Sequence, residues 1–345
     1  MQQIMERRLV AALVAFGILA GGAAGRALAY PIPPVTLWDL VSQADTIVLA
    51  TVENERSVDR GRDDTDWNDT VAVLSVQEAW KGKAAGRLQV PYPRGMICPA
   101  PPRYEAGLTV LAFLAHDRKG ARATVGLSYG TLYPEPGELP VFRELVRQAA
   151  AAQSIKNDAD RERARVDWQV RAAGEVPTRW HGLYALAPDG DALHSFYDGR
   201  NKSSPALTPA HVEQLAHAFV AAPALDFTLP MMLRILDGHP SPAVDETAVA
   251  ATDTVLAAND PPYWAADLMA LTLRRLGKSP PLGPSRAQGD QDALERDPLL
   301  GGLDIDAPKL RAQWSALRKQ LPFAHRTLDP PPNAGVHRTG ATTPP

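Results

Sequence analysis

Histidine, aspartate and aromatic side chains are densest in the run WHGLYALAPDGDALHSFYDG, which starts at Trp180. His181 and His194 are of the type that ligates a metal ion or carries a proton, and Asp189, Asp191 and Asp198 could orient them. Trp180, Tyr184 and Tyr197 could wall a ligand pocket. The same spacing also fits an inter-helix loop whose aromatic residues, Phe196 included, pack between helices or against a neighbouring sheet. Trp180, His181, Tyr184, His194 and Tyr197 are therefore the candidate binding residues. No catalytic set is assigned.

A second stretch, DRGRDDTDWND at 59–69, gathers acidic side chains. Asp63, Asp64, Asp66 and Asp69 are the candidate ligands for calcium, which takes several oxygen donors from a shaped loop. The calcium-loop order D-x-D-x-D-G with a closing Glu is missing, and Arg60 and Arg62 dilute the charge. The stretch reads as a hairpin between two long strands, and no metal or other cofactor is expected.

Cys98 is the single cysteine. It cannot form a disulfide within the chain. A nucleophilic role would need a lowered thiol pKa and a base nearby. Arg94 and Arg103 are close in sequence, but prolines at 99, 101 and 102 make the segment an irregular loop with no cysteine-enzyme signature. Cys98 reads as a small apolar residue, with a bridge to another molecule as the alternative. His211 and His217 are six residues apart on one helix and so do not share a face as an H-x-x-x-H zinc pair does. There is no G-x-S-x-G elbow, no H-E-x-x-H and no glycine-rich phosphate loop.

The elements that must position these residues begin behind a leader. Arg7 and Arg8, the apolar run 9–20 and Ala27-Leu28-Ala29 have the three parts of a secretory signal peptide. Residues 1–29 would be removed and the protein exported, to the periplasm or outside the cell. No later run is long and apolar enough to span a membrane. A formal net charge of −3 gives no electrostatic reason to bind nucleic acid.

Residues 45–53, 70–80, 88–90, 108–116 and 121–132 are short apolar runs between turn signals, as in a small all-β barrel. The helix VTLWDLVSQAD precedes them, with Leu37, Leu40 and Val41 on one face. From 139 onward the period becomes helical. Leu139, Phe142, Leu145, Val146 and Ala149 mark a helix leaving the barrel. Helices follow at 159–173, 178–186, from Thr208-Pro209, at 229–237, from Ser241-Pro242 and from Asp260-Pro261, with a last one over 308–321. The division expected is 1–29 signal peptide, 30–135 barrel, 136–157 connecting helix, 158–278 helical domain, 279–307 linker, 308–322 terminal helix and 323–345 a disordered tail. The fold class is α+β in two domains: a small antiparallel OB-like barrel, then a helical domain, either a short solenoid or a plain bundle.

The order LVSQADTIVLATV, VAVLSVQEAWKGK, CPAPPRYEAGLTVLAFL and YGTLY resembles the TIMP-like, or netrin-like, module of exported bacterial proteins, an OB-type barrel. The likeness spans about residues 36–133. In such modules a second cysteine often precedes the final G-T. Here that place reads Leu127-Ser128-Tyr129, so the usual partner of Cys98 is absent. Animal metalloprotease inhibitors of this fold bind zinc through an N-terminal cysteine, and the processed end here would be Tyr30-Pro31. The helical part resembles HEAT repeats in broad outline. Together these imply a non-enzymatic binding protein for a protein or envelope partner. The alternatives are a protease-inhibitor-like module acting through its processed N-terminus, or a hydrolase centred near 181–198.

Overall fold

Thr36 opens the first helix. A computed structural model of the chain describes residues 33–58, 68–96, 100–116, 120–187, 204–278, 307–323 and 328. Helix α1, Leu37–Gln43, is fixed at its start by a capping box: Thr36 Oγ1 accepts the Asp39 N–H, and the Asp39 carboxylate accepts the Thr36 N–H at 3.1 Å. Leu37, Leu40 and Val41 are buried on one face, as their spacing requires.

Six antiparallel strands follow: β1 Thr46–Ser57, β2 Thr70–Lys81, β3 Arg87–Tyr92, β4 Thr109–His116, β5 Arg122–Thr124 and β6 Thr131–Leu132. Their order is β3-β2-β1-β4-β5, with β6 beside β4. The outer strands β3 and β5 come against each other and nearly close the sheet, an arrangement consistent with an OB-type barrel. Three register shifts between β1 and β2 supply the bend that closure demands. Val48, Ala50, Val52, Leu74, Val90 and Leu114 fill the barrel. Ile47, Leu111 and Phe113 point the other way and are buried too, because α1 and the helix after the barrel cover that face. Strands covered on both sides read as continuous apolar runs, which is why DTIVLATV lacks clean alternation.

The run 121–132 is not one strand. It breaks after β5, where Gly126 (φ 61) and Leu127 (φ 52) take left-handed backbone, passes through a 3-10 turn at Leu127–Gly130 and resumes as β6. The turn carries the chain across to β4. A Cβ on Gly130 would lie 1.9 Å from the Val125 carbonyl oxygen, so the turn closes only with glycine there.

Helix α2, Leu139–Gln153, packs Phe142, Leu145, Val146 and Ala149 onto the barrel. It therefore belongs to the barrel's core as much as it leads away from it. Helix α3, Asp158–Gly174, starts at an Asn157 cap and adds Trp168 and Ala172 to the same core. Then come α4 Arg179–Leu186, α5 Pro209–Ala221, α6 Thr228–Ile235, α7 Pro242–Ala257, α8 Ala265–Arg275 and α9 Ala307–Arg318. Thr208 and Ser241 cap α5 and α7 through their hydroxyls, with proline just inside. Helix α8 begins at Ala265, not at Pro261: two adjacent prolines hold the approach in a turn, closed by Ala265 N–H on the Pro262 carbonyl.

The helices stack in two rows. α3, α5, α7 and α9 touch in succession, and α4, α6 and α8 form the second row beside them. Barrel and helices together make an α+β, two-part layout. Among the described residues no helix is long and apolar enough to cross a membrane.

Candidate functional site

Helix α4 carries three of the sequence candidates, and all three are buried: Trp180 is 3% exposed, His181 4% and Tyr184 2%. The cause is a close helix crossing. Gly182 lies so near α3 that a Cβ there would be 2.3 Å from Gln169 O and Ala173 N. With no side chain at that point, α4 sinks against α3 and nearly every side chain on it is enclosed. Trp180 stacks on Tyr184 (centroids 5.5 Å apart) and on Tyr129 of the barrel's 3-10 turn (6.3 Å). His181 meets the Trp180 ring edge-on at 5.0 Å.

His181 Nδ1 accepts the Leu37 backbone N–H at 3.1 Å. That N–H is one of the donors left open at the start of α1. The bond requires an unprotonated Nδ1, so the proton of the neutral ring sits on Nε2. A residue of the helical array thus completes the cap of the helix under the barrel. His194 and Tyr197, with Asp189, Asp191 and Asp198, lie outside the described residues.

Beside this joint, Arg179 is 2% exposed. Its guanidinium donates to Ala173 O (3.1 Å), Gly174 O (3.3 Å) and Ala222 O (2.8 Å), carbonyls at the ends of α3 and α5. Burial pulls its pKa below the usual arginine value, opposed by the charges of Asp226 and Glu175. A cation at two helix C-termini offsets part of that cost.

A second group of fixed polar residues sits where β1 ends, β2 begins and β3 ends. Asp69 Oδ1 accepts the Arg94 N–H (2.7 Å) and the Thr70 hydroxyl (3.0 Å), while Oδ2 accepts the Gly95 N–H (3.0 Å). Burial pushes the Asp69 carboxyl up, but the donors from Gly95, Thr70 and Arg94 outweigh it and its pKa is lowered from the ordinary value of 3.8. Glu55 lies 2.7 Å from Arg94 Nη1 and accepts the Tyr92 hydroxyl. Its side chain is 13% exposed, that of Arg94 66%. Burial and the Glu55 charge push the Tyr92 phenol up. Asp69 thereby stitches the start of β2 to the turn after β3, and Glu55 fixes the outward-facing guanidinium. Asp63, Asp64 and Asp66 lie outside the described residues, as does Cys98.

The described residues on either side of Cys98 are tied down. Met96 N–H donates to Pro93 O at 3.2 Å and Ala100 O accepts Ser128 N–H at 3.3 Å. Arg103 N–H donates to Thr131 Oγ1 at 3.4 Å, and the Tyr133 hydroxyl donates to Arg103 O. Burial pushes the Tyr133 phenol up to about 12.

Sequence reasoning passed over Glu55 and Arg179. Glu55 left no signal: alternation from Val48, Ala50 and Val52 would put Asn54 on the inner face, and only the register shift between Val52 and Asn54 sets Glu55 opposite buried Ala72. Arg179 had none: Ala173 and Gly174 are near in sequence, but only the fold brings the Ala222 carbonyl at the end of α5 to the same guanidinium. A shallow groove of about 320 Å³, lined by Pro33–Val35, Asp39, Gln43 and Gly126–Leu127, adjoins the joint. No family model, curated protein or solved structure matches this chain.

Proposed function

We propose that this is an exported, non-enzymatic binding protein. In this reading a TIMP-like barrel, carried on a short HEAT-like helix stack, engages a protein or envelope partner through the barrel end built on Glu55, Asp69 and Arg94. The observation that carries it is the Asp69–Arg94–Glu55 network, which presents an exposed cation from a turn that cannot move freely. Pre-organised polar groups on rigid elements lower the ordering cost of association. The joint supports the same reading, since it spends Trp180, His181 and Tyr184 on holding barrel and stack in one frame.

A photo-crosslinking residue placed at Gln89, on β3 beside this end, tests the proposal in the full chain. A control residue replaces Arg163, on the exposed face of α3. Crosslinks to one defined envelope component should form at Gln89, be absent at 163, and fall at least about tenfold with Arg94→Glu or Asp69→Ala. Equal labelling at both positions, or labelling indifferent to Arg94→Glu, would sink the proposal.

A further inference from the structure

Among the described histidines His181 alone is buried, and its Nδ1 is in use as the acceptor of the Leu37 N–H. The neutral ring already carries its proton on Nε2, so a second proton can add only at Nδ1. That proton takes the lone pair which holds Leu37. One N–H then faces another, and a charge lies inside an apolar seam. The rest of the seam is ring on ring: Trp180 stacks on Tyr129 of the 3-10 turn, and His181 meets Trp180 edge-on.

We infer that His181 is an acid-sensitive latch between the helix stack and the start of α1. Protonation of Nδ1 breaks the bond to Leu37, hands that N–H to water, and opens the seam of α4 against α1 and the 3-10 turn. The closed seam requires the neutral ring and the open one accepts either form. Acid therefore favours opening, and a return to neutral pH closes the seam. The inference rests on the joint and not on the Glu55–Asp69–Arg94 end.

The ionisable groups on the surrounding elements are engaged elsewhere. Asp39 of α1 accepts the Thr36 N–H and hydroxyl. Glu162 and Arg165 of α3 pair with each other. Arg179 of α4 points to its three carbonyls, and Asp226 and Glu175 act on it. Tyr129 and Tyr184 lie on Trp180, and α6 buries no ionisable side chain. The other described histidines behave with the opposite sign. His116 lies beside Asp45, His211 beside Asp167, and His217 and His239 beside Glu213, so acid strengthens those pairs. Opening stays local, because the core from Phe113 through Leu145 to Trp168 still joins barrel and stack.

Amide hydrogen exchange of the full chain, followed by NMR from about pH 7 to about pH 5 and corrected for intrinsic exchange, tests the latch. Protection of the Leu37 amide should fall at least about tenfold on acidification and recover on return. The Val52 amide, bonded to Leu108 O at 2.9 Å in the barrel, should keep its protection. In His181→Asn the side-chain oxygen can replace Nδ1 as acceptor but takes no proton, so Leu37 protection should be nearly independent of pH. Within wild type, the His181 ring nitrogen signals should titrate in step with the Leu37 loss. Leu37 protection that is constant in wild type overturns the latch. So does a fall of equal size in His181→Asn, a ring titration out of step with Leu37, or loss of Val52 protection together with Leu37.

Discussion

Arg179 shows how much a single side chain organises here. It satisfies carbonyls of two helix ends from a position 2% exposed. Arg179→Met keeps the stem and removes all three donors, leaving buried acceptors open. We expect a loss of about 3 kcal/mol in urea unfolding. Asp69 gives a pH-dependent counterpart. Its carboxyl titrates below 3.8 in the folded protein, so its contribution is complete above that value and fades as pH falls through the lowered folded one. Asp69→Asn should therefore be less stable than wild type at pH 7, by about 1–2 kcal/mol, and the gap should narrow below pH 3.8. A gap that is constant with pH would mean the carboxylate charge plays no part. At Cys98, both flanks hold through backbone and hydroxyl bonds. Cys98→Ser should leave Tm within about a degree of wild type, and a fall of several degrees would assign the thiol a structural partner. Residue types in 180–184 were legible as either wall or core. Only the neighbours decide between those two, and the neighbours are Leu37 and Tyr129, far away in sequence.

At the scale of elements, local chemistry was readable where the cause is local. Thr208-Pro209 and Ser241-Pro242 start helices as written, and apolar spacing set the buried faces of α1 and α2. The break in 121–132 was not readable, because it serves β6 pairing with β4, and the clash that demands Gly130, with Val125 and Thr124, exists only once the turn is folded. The delayed start of α8 came from proline following proline. The order of the two helix rows likewise depends on which faces meet, and no aligned repeat motif marks them. Gly182 belongs at this scale, since it sets the α3–α4 distance. Gly182→Ala puts a methyl group 2.3 Å from backbone atoms of α3, so the helices must part. We expect a loss of about 3 kcal/mol or more and a lower Tm, whereas Gly137→Ala, with nothing within 4 Å, should be near neutral.

For the whole molecule, the barrel and the helix stack share a frame. One core runs from Ile47 and Phe113 of the sheet through Leu145 of α2 to Trp168 and Ala172 of α3. Trp168 Nε1 donates to Leu145 O at 2.8 Å, and the Trp38 ring meets Trp168 edge-on. Arg143 of α2 pairs with Glu78 of β2 and covers the Trp80 ring. The binding proposal rests on this union, to which residues 179–186 add a second joint through His181 and Trp180. Native-state hydrogen exchange of the full chain across increasing urea tests that directly. Peptides from β1 and from α7 should open with the same free energy and the same urea dependence. His181→Phe, which removes the acceptor for Leu37 N–H, should lower both together by about 1–2 kcal/mol. If β1 opens independently of α7 in wild type, or if His181→Phe changes neither, the joint does not exist as described.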